Sequence, residues 1–247
     1  STGDRVMFSG SSAWAEYAIA DYGRVLKIPN NNMDFITAST LPIALATMHN
    51  AIVTIGNFTR GQTILIQGAS SGVGLMGVQI AKSLEAKLVI GTSTKPEKFD
   101  KLKSIGADLV LNSKDKDWVD QVLQSTNNEG VDLIIDQLSG YTINDNMKAS
   151  KVKGTLVNVG RLAGGNTEFN CDLHALRRIN YRGVTFRTRS KNEIRDVYSK
   201  MWTDLSDLVT KGKLSLPIDK IFELNDVADA LSCMRDNQHF GKLILKL

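Results

Sequence analysis

The sequence has few cysteines and histidines, and the scarcity of each excludes a class of protein. Its 247 residues include two cysteines and three histidines. Cys171 and Cys233 can form neither a disulfide framework nor paired C-x-x-C arms, so we expect a reducing compartment and a cytoplasmic protein. His49, His174 and His239 are isolated along the chain, whereas zinc needs several Cys, His or carboxylate ligands at one site. We therefore predict no metal.

The sequence also lacks a long apolar run, a signal peptide and a basic cluster interleaved with aromatic residues. Hydrophobic residues make up 42% of the chain and charged residues 23%, which is typical of a globular protein. The formal net charge of +4 and the pI near 9.0 are mildly basic, and the lysines are scattered. These features predict no membrane segment and no nucleic-acid partner.

The chain does contain a glycine-rich turn between an apolar strand and an amphipathic helix. The turn runs from Gly68 to Gly74, and apolar residues follow at helical spacing from Val73 to Leu84. Backbone N–H groups and the helix dipole stabilise an anion at such a turn, so the pattern predicts a dinucleotide pyrophosphate site. The spacing of Gly68, Gly72 and Gly74 departs from the strict G-x-G-x-x-G pattern, and a tight turn without a ligand is the alternative.

Strand and helix patterns alternate regularly around and after this turn. The predicted strands are Ile64–Gln67, Leu88–Ile90, Leu109–Leu111, Leu133–Ile135, Leu156–Val159 and Gly183–Phe186. The predicted helices between them are Gly72–Leu84, Pro96–Ile105, Trp118–Gln124, Tyr141–Ala149 and Leu173–Arg178. This alternation predicts an α/β fold with a doubly wound parallel Rossmann sheet, whose strands are apolar because helices cover both faces.

The segments on either side follow a different pattern. Short strands are predicted at Val6–Phe8, Trp14–Ala20 and Val25–Pro29, which indicate an incomplete β-rich piece. A helical stretch from Asp34 to about Ile55 follows, and Pro42 should kink or divide it. After residue 187 the predicted elements are a helix at Asn192–Lys211, a strand at Lys220–Glu223, a helix at Val227–Met234 and a strand at Lys242–Leu245.

The residues after the second strand of the alternating region decide which dinucleotide is expected. An acidic side chain there would hold the ribose 2′-hydroxyl of NAD. The stretch Thr92–Lys98 instead offers hydroxyls and two lysines, which suit a 2′-phosphate, so we predict NADP(H). A helix cap followed by solvated lysines is the alternative for this stretch.

The glycine turn also resembles that of the short-chain dehydrogenases, which use a Tyr-x-x-x-Lys pair for proton transfer. The residues four positions beyond Tyr141, Tyr181 and Tyr198 are Asp145, Thr185 and Trp202. None of these is lysine. The short-chain family therefore stays a secondary alternative.

A better resemblance is to the medium-chain dehydrogenase/reductase superfamily, in its zinc-free quinone oxidoreductase branch. The motifs that appear in that family's order are Gly3–Val6, Ala15–Tyr17, Leu41–Thr47, Gly68–Gly74, Gly106–Asp108, Val131–Asp136, Gly154–Gly160 and Gly241–Leu245. Zinc-using relatives place a cysteine near Ala44 to Thr47, where this sequence has none.

The resemblance implies a set of cofactor-binding residues, whereas no catalytic residue or proton donor is assigned. The implied contacts are Thr47 near the nicotinamide; Ala69, Ser70, Ser71, Gly72, Val73 and Gly74 at the pyrophosphate; Ser93, Thr94 and Lys98 at the 2′-phosphate; Ser113 on the adenine side; Val159, Gly160 and Arg161 along the nicotinamide ribose; and Asn237 with Lys242 at a closing contact. Several relatives have a tyrosine where Ser113 stands, which leaves adenine stacking open.

The resemblance also implies the domain plan and the activity. We expect a partial GroES-like catalytic domain at residues 1–45, an NADP-binding Rossmann domain at 46–185 and a return to the catalytic domain at 186–247. The family has a further catalytic segment before Gly3, which this chain is expected to lack. The implied activity is NADPH-dependent, metal-free hydride transfer to a quinone or an activated enone or enoyl double bond.

Two further expectations concern a homodimer and an alternative function. The strand Gly183–Phe186 resembles the edge through which the family forms a homodimer. A non-catalytic NADPH-binding or RNA-binding protein of the same fold is the alternative function.

Overall fold

The computed structural model describes residues 1–29 and 32–247 and divides them into two compact units. The continuous unit is Met48–Thr185, and the two-part unit combines Ser1–Thr47 with Phe186–Leu247. Asn30 and Asn31, which fall in the predicted domain range 1–45, lie outside the described residues.

The N-terminal part of the two-part unit contains one antiparallel strand pair. Strands β1 (Val6–Phe8) and β2 (Val25–Lys27) pair with Met7 opposite Leu26. The strand predicted at Trp14–Ala20 is wrong, because this largely exposed stretch forms bends and irregular backbone. In the described part of the chain β1 and β2 form a sheet of two strands. No third strand joins this sheet, so Trp14–Ala20 does not exchange backbone hydrogen bonds with it as a strand.

Two short helices and a π-helical segment follow. Helix α1 (Phe35–Ser39) is capped by Asp34, whose carboxylate accepts a 2.6 Å hydrogen bond from the Thr37 N–H. Helix α2 (Pro42–His49) continues into a π-helical segment at Asn50–Ile55. The predicted division at Pro42 is confirmed, because proline has no N–H to donate and fits the first position of a helix.

The helical stretch Phe35–Ile55 is apolar and long enough to cross a membrane by length and composition alone. The expectation that no apolar run approaches that length is therefore wrong for this stretch. Its most apolar window is 72% buried inside the protein, and core helices of soluble proteins match the same criterion.

After the π-helical segment, the continuous unit contains six strands and five α-helices. In chain order they are β3 (Thr63–Gln67), α3 (Gly72–Ser83), β4 (Leu88–Thr92), α4 (Phe99–Ile105), β5 (Leu109–Leu111), α5 (Trp118–Ser125), β6 (Val131–Asp136), α6 (Ile143–Ala149), β7 (Ser150–Asn158), α7 (Cys171–Arg177) and β8 (Asn180–Gly183). Single 3-10 turns at Pro96–Lys98 and Gly140–Thr142 precede α4 and α6. All neighbouring strands are parallel, in the order β5-β4-β3-β6-β7-β8. The predicted α/β fold with a Rossmann-type sheet is confirmed.

Burial on both faces explains why the central strands are continuously apolar. Ile64, Leu65 and Ile66 of β3 are fully buried, and Ile134 of β6 belongs to a core that also contains Trp118 of α5. Each such side chain contributes roughly 1.5–3 kcal/mol to folding by leaving water.

The predicted edge strand Gly183–Phe186 is wrong by its position, because β8 occupies Asn180–Gly183. Asn180 pairs with Thr155 and Gly183 pairs with Asn158, where β7 ends. Beyond Gly183 one more N–H, that of Val184, reaches the Asn158 carbonyl at 2.9 Å. The strand stops there because β7 offers no further partner in the described ladder.

The C-terminal part of the two-part unit contains helix α8 (Lys191–Thr210), strand β9 (Ile218–Glu223), helix α9 (Val227–Arg235) and strand β10 (Lys242–Lys246). Ser190 and Glu193 form a reciprocal capping box at the start of α8. Within this unit Arg195 of α8 holds Asp21 through hydrogen bonds of 2.8 and 2.7 Å.

Candidate dinucleotide site

The strand order of the continuous unit creates a crevice at one defined place. From β3 the chain proceeds outward through β4 to β5, and from β6 it proceeds in the opposite direction through β7 to β8. The order reverses between β3 and β6, which lie side by side with Gln67 opposite Asp136. Ligands of open parallel sheets bind outside the carboxyl ends of the strands at such a switch point.

The predicted glycine turn lies at the carboxyl end of β3, next to this switch point. Gly68 has a φ of +69°, and its N–H donates a 3.0 Å hydrogen bond to the Thr92 hydroxyl at the end of β4. The Ser71 hydroxyl caps α3 by accepting from the Gly74 N–H at 3.1 Å. The other N–H groups of the first helical turn have no partner inside their own helix, and they suit an anion.

Gly74 is needed because the helix approaches the turn closely. A Cβ at this position would lie 2.6 Å from the Gly68 carbonyl oxygen and 2.7 Å from that of Ala69. Both are backbone atoms and cannot rotate away. The first turn of α3 therefore packs directly on the glycine turn, and the cradle fits a pyrophosphate in shape and in donor groups.

The side chain of Gln137, which directly follows β6, braces the turn from the other side of the switch point. Its Nε2 donates to the carbonyl oxygens of Gln67 and Gly68 at 3.1 and 3.2 Å. Its Oε1 accepts from the Ser71 hydroxyl at 2.9 Å. One buried amide thus holds three residues of the turn region in place.

A buried chain of polar side chains runs behind the turn. The Thr92 hydroxyl donates to Gln67 Oε1 at 2.7 Å, and Gln67 Nε2 donates to Asn146 Oδ1 at 2.6 Å. Asn146 Nδ2 lies 3.4 Å from the hydroxyl of Thr142, which itself donates to the Ser139 carbonyl at 3.0 Å. These buried groups satisfy one another, which fixes the ends of β4, β3 and β6 relative to each other.

The predicted 2′-phosphate residues lie at the end of β4. The Ser93 hydroxyl contacts the Ser70 hydroxyl at 3.1 Å, which joins this region to the glycine turn. Thr94 is exposed, whereas Lys98 is only 4% exposed and has an interaction partner. The alternative of solvated lysines is therefore wrong for Lys98. Ser113 is buried after β5, with its hydroxyl 3.4 Å from that of Tyr141.

Asp136 shapes the opposite half of the crevice. Its buried carboxylate accepts hydrogen bonds from the N–H groups of Leu138 and Ser139, both at 2.9 Å. Its carbonyl oxygen accepts from the N–H groups of Val159 and Gly160 at 2.8 and 3.1 Å. Burial raises the pKa of Asp136, and the two N–H donors oppose that rise. The predicted loop Val159–Arg161 is thereby tied to the end of β6.

The structure brings most of the predicted site residues to one edge of the continuous unit. The residues placed there are Ala69, Ser70, Ser71, Gly72, Val73, Gly74, Ser93, Thr94, Lys98, Ser113, Val159, Gly160 and Arg161. Thr47, Asn237 and Lys242 belong to the two-part unit. Asn237 there is exposed, and burial lowers the pKa of Lys242. The contacts of all these residues with a cofactor stay predictions.

Sequence reasoning assigned no role at the site to Asp136, Gln137, Asn146 or Tyr141. The usable signal for the first two was their position at the carboxyl end of an apolar strand, since carboxyl ends of neighbouring parallel strands meet at one edge.

The structure also bears on the prediction that the protein binds no metal. Across residues 1–29 and 32–247 the structure contains no group of three or more His, Cys, Asp or Glu side chains that could hold a metal ion. These residues do not fit a zinc site, and the absence of a metal stays a prediction.

The fold and the turn at its switch point define a dinucleotide-binding protein of the Rossmann class. Residues 72–204, more than half of the chain, match the sequence profile of the zinc-binding dehydrogenase family. The chain belongs to this family and, within the medium-chain dehydrogenase/reductase superfamily, to the quinone oxidoreductase branch. This membership separates it from the short-chain dehydrogenases.

Individual relatives span several activities. The chain is 28% identical over 253 residues to the low-reducing polyketide synthase drtA of Aspergillus calidoustus, covering 98% of this chain but 10% of that protein. It is 26% identical over 253 residues to a probable quinone oxidoreductase of Leishmania amazonensis, covering 99% of this chain and 73% of the relative. A solved NAD-dependent alcohol dehydrogenase shares the fold with a TM-score of 0.82 at 23% identity, over 95% of this chain and 65% of that one.

Proposed function

We propose that this chain is an NADPH-dependent, metal-free oxidoreductase that transfers a hydride to a quinone or to an activated enone or enoyl double bond. The proposal rests on the residues at the end of β4, beside the glycine turn. Ser93 and the buried Lys98 lie there, and the sequence Thr92–Lys95 contains no carboxylate that would repel a 2′-phosphate. An NAD enzyme is expected to have an acidic side chain at this place.

The residues of the crevice have distinct roles in this proposal. The first N–H groups of α3 bind the pyrophosphate, and Gln137 keeps the turn in the binding conformation. Ser93, Thr94 and Lys98 select the phosphorylated ribose. Asp136 orients Val159 and Gly160, which lie along the nicotinamide side. When bound, the reduced nicotinamide supplies the hydride, and the protein supplies position and exclusion of water.

The substrate class is supported by the relatives. One is named as a quinone oxidoreductase and another as a reducing polyketide synthase. Because the chain spans about a tenth of the polyketide synthase, a role inside a larger assembly is proposed on equal terms with a free enzyme. We also propose a cytoplasmic location and a homodimer formed through the β8 edge.

The test compares cofactors and substrates in one purified protein. NADPH and NADH are titrated by calorimetry, and oxidation of each is then followed with 9,10-phenanthrenequinone and with a trans-2-enoyl thioester. We expect NADPH to bind at least about tenfold more tightly, since an ionic hydrogen bond to phosphate is worth about 1.5–3 kcal/mol. Turnover with either acceptor supports the activity, and dialysis against a zinc chelator should leave it unchanged.

The competing function is a non-catalytic NADPH-binding or RNA-binding protein. Tight NADPH binding with no oxidation in the presence of either acceptor would favour it for this chain. A preference for NADH would instead refute the assignment of Ser93, Thr94 and Lys98 as contacts of the 2′-phosphate.

A further inference from the structure

We propose that Tyr141 forms the stacking surface for the adenine base of the bound dinucleotide. This inference rests on the proposed dinucleotide site and adds a specificity residue to it. The predicted contacts in the continuous unit include glycine, serine, threonine, alanine, valine, lysine and arginine, but no aromatic side chain. A purine gains most from a flat aromatic neighbour, and Ser113, the predicted residue on the adenine side, offers no ring for the base to stack on.

The position of Tyr141 places it at the adenosine half of the crevice. It lies in the 3-10 turn Gly140–Thr142, five positions after Asp136, the last residue of β6. Its hydroxyl lies 3.4 Å from that of Ser113, which follows β5. In the sheet, β4 and β3 lie between β5 and β6. The residues after those two strands are Ser93 and Ser70, whose hydroxyls meet at 3.1 Å. Tyr141 therefore borders the edge at which the 2′-phosphate is expected.

The backbone that carries Tyr141 is firmly held. Thr142 is fully buried, and its hydroxyl donates to the Ser139 carbonyl at 3.0 Å. Gly140 has a φ of +54° and packs so closely on the carbonyl group of Ala163 that no Cβ would fit. The backbone at Tyr141 therefore needs no further ordering when a ligand binds.

The Tyr141 side chain is nevertheless available to a ligand. It is 48% exposed, although the residues on either side of it are buried. Its hydroxyl is anchored towards Ser113, which leaves ring surface facing solvent. An exposed ring on a fixed backbone, at the edge where nucleotides bind, is the arrangement that a base-stacking residue requires.

The test separates the base from the rest of the cofactor. Wild type, Tyr141→Ala, Tyr141→Phe and the control Leu176→Ala, which removes an exposed side chain of α7, are titrated by calorimetry with 2′,5′-ADP, with 5′-AMP and with reduced nicotinamide mononucleotide. We expect Tyr141→Ala to weaken both adenine ligands about tenfold or more and to leave the mononucleotide unchanged. Tyr141→Phe, which keeps the ring, should stay within about threefold of wild type. Thermal unfolding verifies that each variant is folded.

The outcomes distinguish this inference from the proposed function. Unchanged or tighter binding of 2′,5′-ADP and 5′-AMP by Tyr141→Ala would overturn the stacking role, even if the wild type oxidises NADPH. Weakened binding of both ligands in a protein that never turns over would support the stacking role and refute the proposed enzyme activity. Equal losses for the mononucleotide and the adenine ligands would show a general structural effect and would also overturn the inference.

Discussion

The hydroxyl of Ser71 donates a 2.9 Å hydrogen bond to Oε1 of Gln137, across 66 positions of sequence and across the boundary between the two halves of the sheet. Ser71 belongs to the turn after β3 and Gln137 to the segment after β6. Because Gln137 also donates to the carbonyl oxygens of Gln67 and Gly68, the conformation of the turn depends on a residue from the other half.

Gln137→Ala should therefore weaken cofactor binding and lower stability. The change leaves the Gln67 and Gly68 carbonyl oxygens without their side-chain donor, and a lost buried partner costs about 1–3 kcal/mol. We expect a higher Kd for NADPH by calorimetry and a lower urea midpoint. Gln124→Ala, on the exposed surface of α5, is the matched control. Unchanged NADPH affinity in Gln137→Ala would show that the turn holds its shape without this brace.

Gly74→Ala should be strongly disruptive. The added methyl group would lie 2.6 Å from the Gly68 carbonyl oxygen, so α3 must shift away from the turn. We expect a loss of about 1–3 kcal/mol in the free energy of unfolding and weaker NADPH binding. In Gly165→Ala the methyl group meets nothing within 4 Å among the described residues, and that variant should behave as wild type. Equal stability of the two variants would contradict the close approach.

Thr94→Glu should change the choice of cofactor. Thr94 is exposed beside Ser93, so a carboxylate there would face the proposed 2′-phosphate at little cost to folding. We expect KM for NADPH to rise about tenfold or more, while KM for NADH changes little. Thr94→Gln has the same size without the charge and serves as the control. If both cofactors respond equally, the 2′-phosphate lies elsewhere.

Asp21→Asn should lower stability in a pH-dependent way. Hydrogen bonds from Arg195 lower the pKa of Asp21 from 3.8 to about 2 in the folded protein. The carboxylate therefore stabilises the fold above its ordinary pKa, and this contribution disappears as the pH falls towards 2. Urea unfolding at several pH values should give a difference between wild type and variant that is constant near neutrality and shrinks between about pH 4 and 2. A pH-independent difference between wild type and Asp21→Asn would refute the linkage.

Gly183→Lys should disrupt the proposed homodimer. Gly183 ends the edge strand β8, and a Cβ there meets nothing within 4 Å among the described residues, so the fold should tolerate the change. A lysine on an exposed edge disfavours pairing with another strand. Light scattering should give twice the 27.1 kDa chain mass for wild type and for Gly165→Lys, and one chain mass for Gly183→Lys. A monomeric wild type would refute the dimer.

The central strands could be predicted because burial on both faces makes them continuously apolar, as in Ile64–Ile66. Strand β8 could not be located by the same reasoning. All four of its residues, Asn180–Gly183, are exposed, so no apolar pattern marks it and the register with β7 decides its position. The stretch Trp14–Ala20 failed in the opposite way, because its apolar residues suggested a strand that has no neighbour to pair with in the described structure.

The glycine turn could be predicted because the residues that form it, Gly68–Gly74, are consecutive in the sequence. Its support could not, because Gln137 and Asn146 act on the turn from distant parts of the sequence and a single glutamine or asparagine has no motif. The same reason explains why Tyr141 was missed. Its meeting with Ser113 follows from the order of the strands and not from sequence spacing.

The division into a continuous and a two-part unit has a consequence for synthesis on the ribosome. Met48–Thr185 can complete its sheet as soon as Thr185 has left the exit tunnel. The segment Ser1–Thr47, although translated first, must wait for Phe186–Leu247, which at about 5–20 residues per second is a delay of seconds. During that interval Met7, Leu26 and Ile28, which are buried in the folded protein, lack the C-terminal part of their unit, so a segment that is translated early completes its folding late.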